Sequence, residues 1–157
     1  MAAALLALVL TGATARAGEA ILPAPGERDK CPVCGMFVKA YPEWTAAVVY
    51  RDGHAHYFDG AKDLFKFLAG PTRYAPQHRA DEVSGVVVTE YYGLSPIDAR
   101  DALFVVGSDV LGPMGRELVP LADAPAAGEF VKDHGGRTLR FDEVTAAVLK
   151  ELDPPPQ

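Results

Sequence analysis

The chain has 157 residues, 49% of them apolar and 23% charged, a composition that excludes intrinsic disorder and suits one compact domain or two small ones. Fifteen Lys and Arg stand against 21 Asp and Glu. The resulting net charge of −6 argues against a nucleic-acid binder, which needs a basic face to engage phosphate, and two cysteines are too few for the disulfide framework of a tiny secreted fold.

Ala2 to Thr11 is almost wholly apolar, and Ala15-Arg16-Ala17 supplies the small residues of an A-x-A cleavage site. Residues 1–17 therefore read as a signal peptide, although no Lys or Arg precedes the apolar run, which is itself too short for a membrane anchor. Cleavage would leave 14 basic and 21 acidic residues, a net −7 over 140 residues. No Cys near the cleavage site is available for a lipid, so the expected product is a soluble periplasmic protein. Residues 18–30, with Pro23, Pro25 and Gly26, form an N-terminal arm.

Thr45 to Tyr50 is a β-branched and aromatic run. Asp52-Gly53 then precedes His54-Ala55-His56-Tyr57-Phe58, which predicts a hairpin through a type I′ turn. Asp59 is the expected N-cap of a helix over 60–69, with Ala61, Leu64, Phe65 and Leu68 on its core face. Gly70-Pro71 ends it, and Val83 to Tyr92 reads as a strand. Ala102 to Val106 and Glu117 to Leu121 read as two further strands. Asp123 caps the next helix, with Ala127, Phe130, Val131 and His134 on one face, and Gly135-Gly136 stops it. Thr138 to Phe141 is a strand, and Asp142 is the expected cap of a last helix with Val144, Val148 and Leu152 inward.

Both halves thus read strand, strand, helix, strand. The predicted class is α+β, with two small ββαβ lobes over 31–98 and 99–152 forming one compact unit, and a Pro-rich tail over 153–157. The second hairpin differs from the first in its expanded loop, Ser108 to Arg116, with Gly112-Pro113-Met114-Gly115 at the tip. Long loops are often where function sits.

Both cysteines lie in Cys31-Pro32-Val33-Cys34-Gly35-Met36. Three chemistries use C-x-x-C: a thiol–disulfide couple, half of a zinc site, and a Cu(I) site of soft sulfur ligands. Zinc needs two more ligands, and His54 and His56 share one strand face as candidates. A redox couple needs a helix after the motif, which Tyr41-Pro42 does not sustain. Cu(I) gains from Met36, whose thioether lies two residues from Cys34 and on its side if the segment is extended. Met114 is flanked by Pro113 and Gly115, with no strand or helix face to occupy, and reads as a presented ligand or contact. His54 and His56 otherwise read as surface strand residues, His134 as a helix C-terminal base, and His78 as an ordinary loop residue.

The same residues resemble the NosL family of copper chaperones. The match runs in order through Cys31-Pro-Val-Cys34-Gly-Met36, Tyr57-Phe58-Asp59, Ile97-Asp98-Ala99-Arg100-Asp101-Ala102, Val106-Gly107-Ser108-Asp109-Val110, Gly112-Pro113-Met114-Gly115 and His134-Gly135-Gly136. The resemblance implies an exported protein, commonly a lipoprotein, built from two ββαβ units. It implies one Cu(I) per chain, supplied to the copper–sulfur cluster of nitrous oxide reductase or to its membrane-associated assembly machinery in denitrification. Cys34 and Met36 would be the leading ligands and Met114 the third, with Cys31, His54 and His56 as further candidates. The lipid-bearing Cys is the one departure. Three rival readings stand beside the metallochaperone: a thiol–disulfide oxidoreductase using Cys31 and Cys34, a handler of organomercurials or other heavy metals, and a structural zinc module.

Overall fold

The computed structural model describes residues 22–153. The expected signal peptide, the arm up to residue 21 and the tail from residue 154 lie outside the described residues. The first half runs β1 (Ala46–Tyr50), β2 (Ala55–Phe58), α1 (Ala61–Ala69), the short α2 (Pro71–Tyr74), β3 (Val83–Thr89) and β4 (Pro96–Asp98). Its sheet is antiparallel, in the order β2-β1-β3-β4. The second half runs β5 (Leu103–Val106), β6 (Leu111–Gly112), β7 (Gly115–Arg116), β8 (Val119–Leu121), α3 (Ala124–His134), β9 (Arg137–Arg140) and α4 (Ala146–Leu152). Here the order is β8-β5-β9, with β6 and β7 as a separate small hairpin. With β4 and that hairpin set aside, each half places its first strand centrally, flanked by its second and third. The α+β class and the pair of ββαβ units stand.

Period-two patterning explains why the halves fuse. On β5, Phe104 and Val106 point into the large core built by Val48, Phe58, Leu64, Phe67, Val86 and Val88 of the first half. Val105 faces the other way, joining Val119, Leu121, Ala127 and Phe130 under α3. Strand β5 is therefore buried on both faces. Phe104 meets Phe65 of α1 edge-on at 4.9 Å between ring centroids. Helix α1 is consequently covered on two sides. Phe67, outside the predicted core face, is fully buried and packs on Phe58 at 5.2 Å.

Local expectations were refined at four places. The first hairpin has a three-residue loop, not a type I′ turn. Tyr50 N donates to His54 O at 2.8 Å and Gly53 N donates to Tyr50 O at 3.0 Å. Positive φ falls on Gly53 alone, which is the type I turn with a following left-handed glycine. Asp59 does not cap α1, whose N-cap is Gly60. Asp142 sits in a single 3₁₀ turn, and α4 is capped instead by Thr145, whose hydroxyl accepts from Val148 N. The strand read from Glu117 shortens to Val119–Leu121, because Glu117 turns its side chain inward to another task. Asp123 caps α3 as predicted, accepting from Ala126 N at 2.9 Å.

Candidate metal centre

The C-x-x-C segment is a tight turn and not extended. Gly35 N donates to Cys31 O at 2.8 Å and Cys31 N donates to Met36 O at 2.9 Å, while Lys30 and Phe37 bridge antiparallel beneath it. Gly35, at φ +83°, closes the turn in a conformation that strains other residues. The alternation expected to set Cys34 and Met36 on one side therefore does not operate. The turn does something else. The backbone N–H groups of Cys34 and Val33 pull the Cys31 thiol down, and that of Met36 does the same to the Cys34 thiol, each against a larger rise from burial. Backbone dipoles of this kind favour the thiolate form.

Both cysteines are free thiols, Cys31 buried and Cys34 half-buried. They meet the start of α1. Cys34 Sγ donates to Asp59 Oδ1 at 3.1 Å and Cys31 Sγ donates to Asp63 Oδ2 at 3.3 Å. One ligand atom from each of these four residues lies within 4.8 Å of the others. Asp59 and Asp63 are buried, and Asp59 Oδ2 has no hydrogen-bond partner among the described residues. An orphaned buried carboxylate oxygen is costly, and a cation between the sulfurs would supply its partner. Burial, reinforced by Asp59 and Asp63, pushes the Cys34 thiol up to about 12. Burial raises Cys31 as well, with Asp63 and Asp59 adding to it.

The second half reaches the same helix end. The loop expected to be merely expanded folds as the β6–β7 hairpin, with Pro113-Met114 as its turn and the Met114 side chain 47% exposed. Buried Lys62, next to Asp63, donates from Nζ to Met114 O at 3.0 Å and to Arg116 O at 2.8 Å. Buried Glu117 replaces Asp59 as the partner of the helix start: Oε1 accepts from Lys62 N at 2.5 Å and from Leu118 N at 2.9 Å. A Cβ at Gly60 would overlap the Glu117 carboxylate, so glycine permits this approach. Burial raises the Glu117 carboxyl to about 7, against the opposing pull of those two N–H donors and Lys62. The C-x-x-C turn and the Met114 hairpin thus converge on one turn of α1.

The structure distributes the other candidates differently. His54 and His56 lie with His78, away from the cysteines, each offering a ring nitrogen within 4.8 Å of the others. His134, at the C-terminus of α3, bonds from Nδ1 to Asp109 Oδ1 at 2.9 Å. Sequence reasoning missed Lys62, Asp63, Glu117 and the partnership of His78. Only the four-residue spacing of Asp59 and Asp63 at a helix start hinted at the acidic half of the centre.

A family model described as NosL matches residues 24–149. The chain belongs to the NosL family. "Copper-binding lipoprotein NosL" of Stutzerimonas stutzeri is 32% identical over 126 residues, which is 80% of this chain and 66% of that protein. The chain therefore spans just under two thirds of that relative's length. The fold is similar to the crystal structure of the copper chaperone NosL from Shewanella denitrificans. The TM-score is 0.67 at 29% identity, covering 81% of this chain and 97% of that one. No helix among the described residues of this NosL protein is long and apolar enough to cross a membrane.

Proposed function

We propose that the protein is an exported Cu(I) metallochaperone that carries one ion per chain and releases it to nitrous oxide reductase for assembly of the copper–sulfur cluster. The observation that carries the reading is the convergence on α1 of two sulfur-bearing segments, the Cys31–Met36 turn and the Met114 hairpin. Cys34 thiolate holds the ion, with Met36 and Met114 thioethers completing a soft, low-coordinate set and Cys31 beside it. The relatives named above, a copper-binding lipoprotein and a copper chaperone, support copper as the cargo, and the lipoprotein supports a membrane-associated place. Exposure of Met114 favours transfer by ligand exchange, a recipient's sulfur or imidazole entering as the thioether leaves.

Raised thiols weigh against the oxidoreductase alternative, because a redox cysteine works as a thiolate and needs its pKa lowered. The grouping of Cys31, Cys34, Asp59 and Asp63 favours a second reading, a four-coordinate zinc ion on two sulfurs and two oxygens. One experiment separates them. The reduced mature protein is titrated anaerobically with Cu(I) against a Cu(I)-specific chelator, and with Zn(II) against a zinc chelator. The copper reading expects one tight Cu(I), lost in Cys34→Ser and weakened about tenfold or more in Met36→Leu and in Met114→Leu. Competitive Zn(II) binding that ignores both methionines and vanishes in Asp59→Asn would favour zinc. Delivery is read separately, as copper gained by copper-free nitrous oxide reductase from the loaded protein; no transfer would remove that recipient.

A further inference from the structure

We infer that His54, His56 and His78 form a second metal site, one that takes a divalent transition-metal ion through three imidazoles. The site owes nothing to the cysteine centre and does not rest on the copper reading. Three of the four histidines of the chain meet here, brought from two separate segments. His56 lies in β2 and Asp59 just beyond it, so the nearest members of the two groups are three residues apart, about 10 Å along the strand at ~3.3 Å each, and their side chains leave opposite faces.

The geometry is that of a built site. His54 and His56 share a strand face, and His78 is brought over them by the loop after α2, where His78 N donates to Ala75 O at 3.1 Å. Ring centroids lie 5.0 Å apart for His54 and His56, 5.0 Å for His54 and His78, and 5.3 Å for His56 and His78. Buried Tyr50 organises the three: it stacks on His78 at 4.0 Å and meets His56 edge-on at 5.6 Å. Packing of this kind holds the His56 and His78 imidazoles in place before any ion arrives, which lowers the ordering cost of binding.

Two further observations point to a ligand. His56 Nε2 is buried without a hydrogen-bond partner among the described residues. A buried ring nitrogen left so is unfavourable, and coordination is one way to satisfy it. Glu82 Oε2, which accepts from Arg79 N at 2.9 Å, stands 3.6 Å from His78 Nδ1, too long for a hydrogen bond but near enough for its negative charge to favour a cation among the three rings. Ligand atoms now lie within 4.8 Å, whereas a tetrahedral ion with Zn–N bonds near 2.0 Å wants them roughly 3.3 Å apart. Exposed His54 at the hairpin can rotate to close that gap, and its exposure leaves a coordination position open to solvent. Three neutral nitrogen donors select borderline ions such as Cu(II) and Zn(II) over oxygen-seeking Mg(II) or Ca(II).

The test uses untagged Cys31→Ser/Cys34→Ser protein, which removes the other site and the thiols that would reduce Cu(II). It is titrated with Cu(II), followed by electron paramagnetic resonance, and with Zn(II) against a chromophoric chelator. One ion per chain with nitrogen splitting from three imidazoles is expected. Affinity should fall at least tenfold in His78→Gln and in His56→Asn, with fewer coupled nitrogens. Binding of one ion and not the other keeps the site and names its metal. No stoichiometric binding of either, or binding unchanged in both histidine variants, overturns the inference. If the double-Ser protein does not fold, the wild type is titrated with Zn(II) under imidazole ¹⁵N NMR. Shifts at His54, His56 and His78 together support the site, and unmoved resonances refute it.

Discussion

Replacing Glu117 with Gln should change how stability depends on pH, because this carboxyl clasps the two halves together from a fully buried position. In the folded protein burial raises it from the ordinary 4.5 to about 7, so the native state binds this proton more tightly than the unfolded chain. At about 1.4 kcal/mol per pKa unit, the difference amounts to ~3 kcal/mol. That contribution is fully present below pH 4.5 and is lost as pH rises through about 7. Gln cannot titrate, yet its amide oxygen can still accept from Lys62 N. Urea unfolding of both proteins, followed by the fluorescence of the single tryptophan Trp44, measures the effect from pH 4 to 8. Subtracting one from the other removes every titration the two proteins share. The wild type should lose ~3 kcal/mol relative to Glu117→Gln across that range, an order-of-magnitude figure. A difference that stays flat would mean that Glu117 is ionised throughout, and the buried clasp would have to be argued anew.

Other expectations follow from the same contacts. Lys62→Met removes both hydrogen bonds to the Met114 hairpin; Cu(I) affinity by chelator competition should drop about tenfold, with Cys34 untouched. Gly136 sits at φ +91° with an added Cβ only 2.7 Å from Val106 O, so Gly136→Ala should cost at least ~2 kcal/mol in urea unfolding. Gly128→Ala, on the exposed face of α3 with nothing within 4 Å, should instead gain about 0.5–1 kcal/mol. With the Cys34 thiol near 12, Cu(I) must displace its proton at any neutral pH. Affinity between pH 6 and 8 should therefore rise about tenfold per pH unit if one thiolate binds, and about a hundredfold if Cys31 binds too. No dependence would exclude thiolate ligation.

Much of this molecule is local. Runs of β-branched and aromatic residues made β1, β2 and β5 readable, and short-range turn chemistry placed the hairpin at Asp52-Gly53 and the α3 cap at Asp123. The same locality singled out the Cys31–Met36 motif and exposed Met114 as a turn residue, since Pro113 and Gly115 leave it no strand face. Where local signals competed, the sequence misled. Asp59 has the chemistry of an N-cap, and nothing within a few residues of it reveals that a thiol 25 positions earlier takes its carboxylate. Glu117 fills the vacant role from 55 positions away, and His78 joins two histidines across α1 and α2. Such pairings arise when two sheets bury apolar faces against one helix, because hydrophobic burial decides which distant polar groups end up side by side. The residues that bear the chemistry were written in the sequence; which of them share a site was decided only when the core closed.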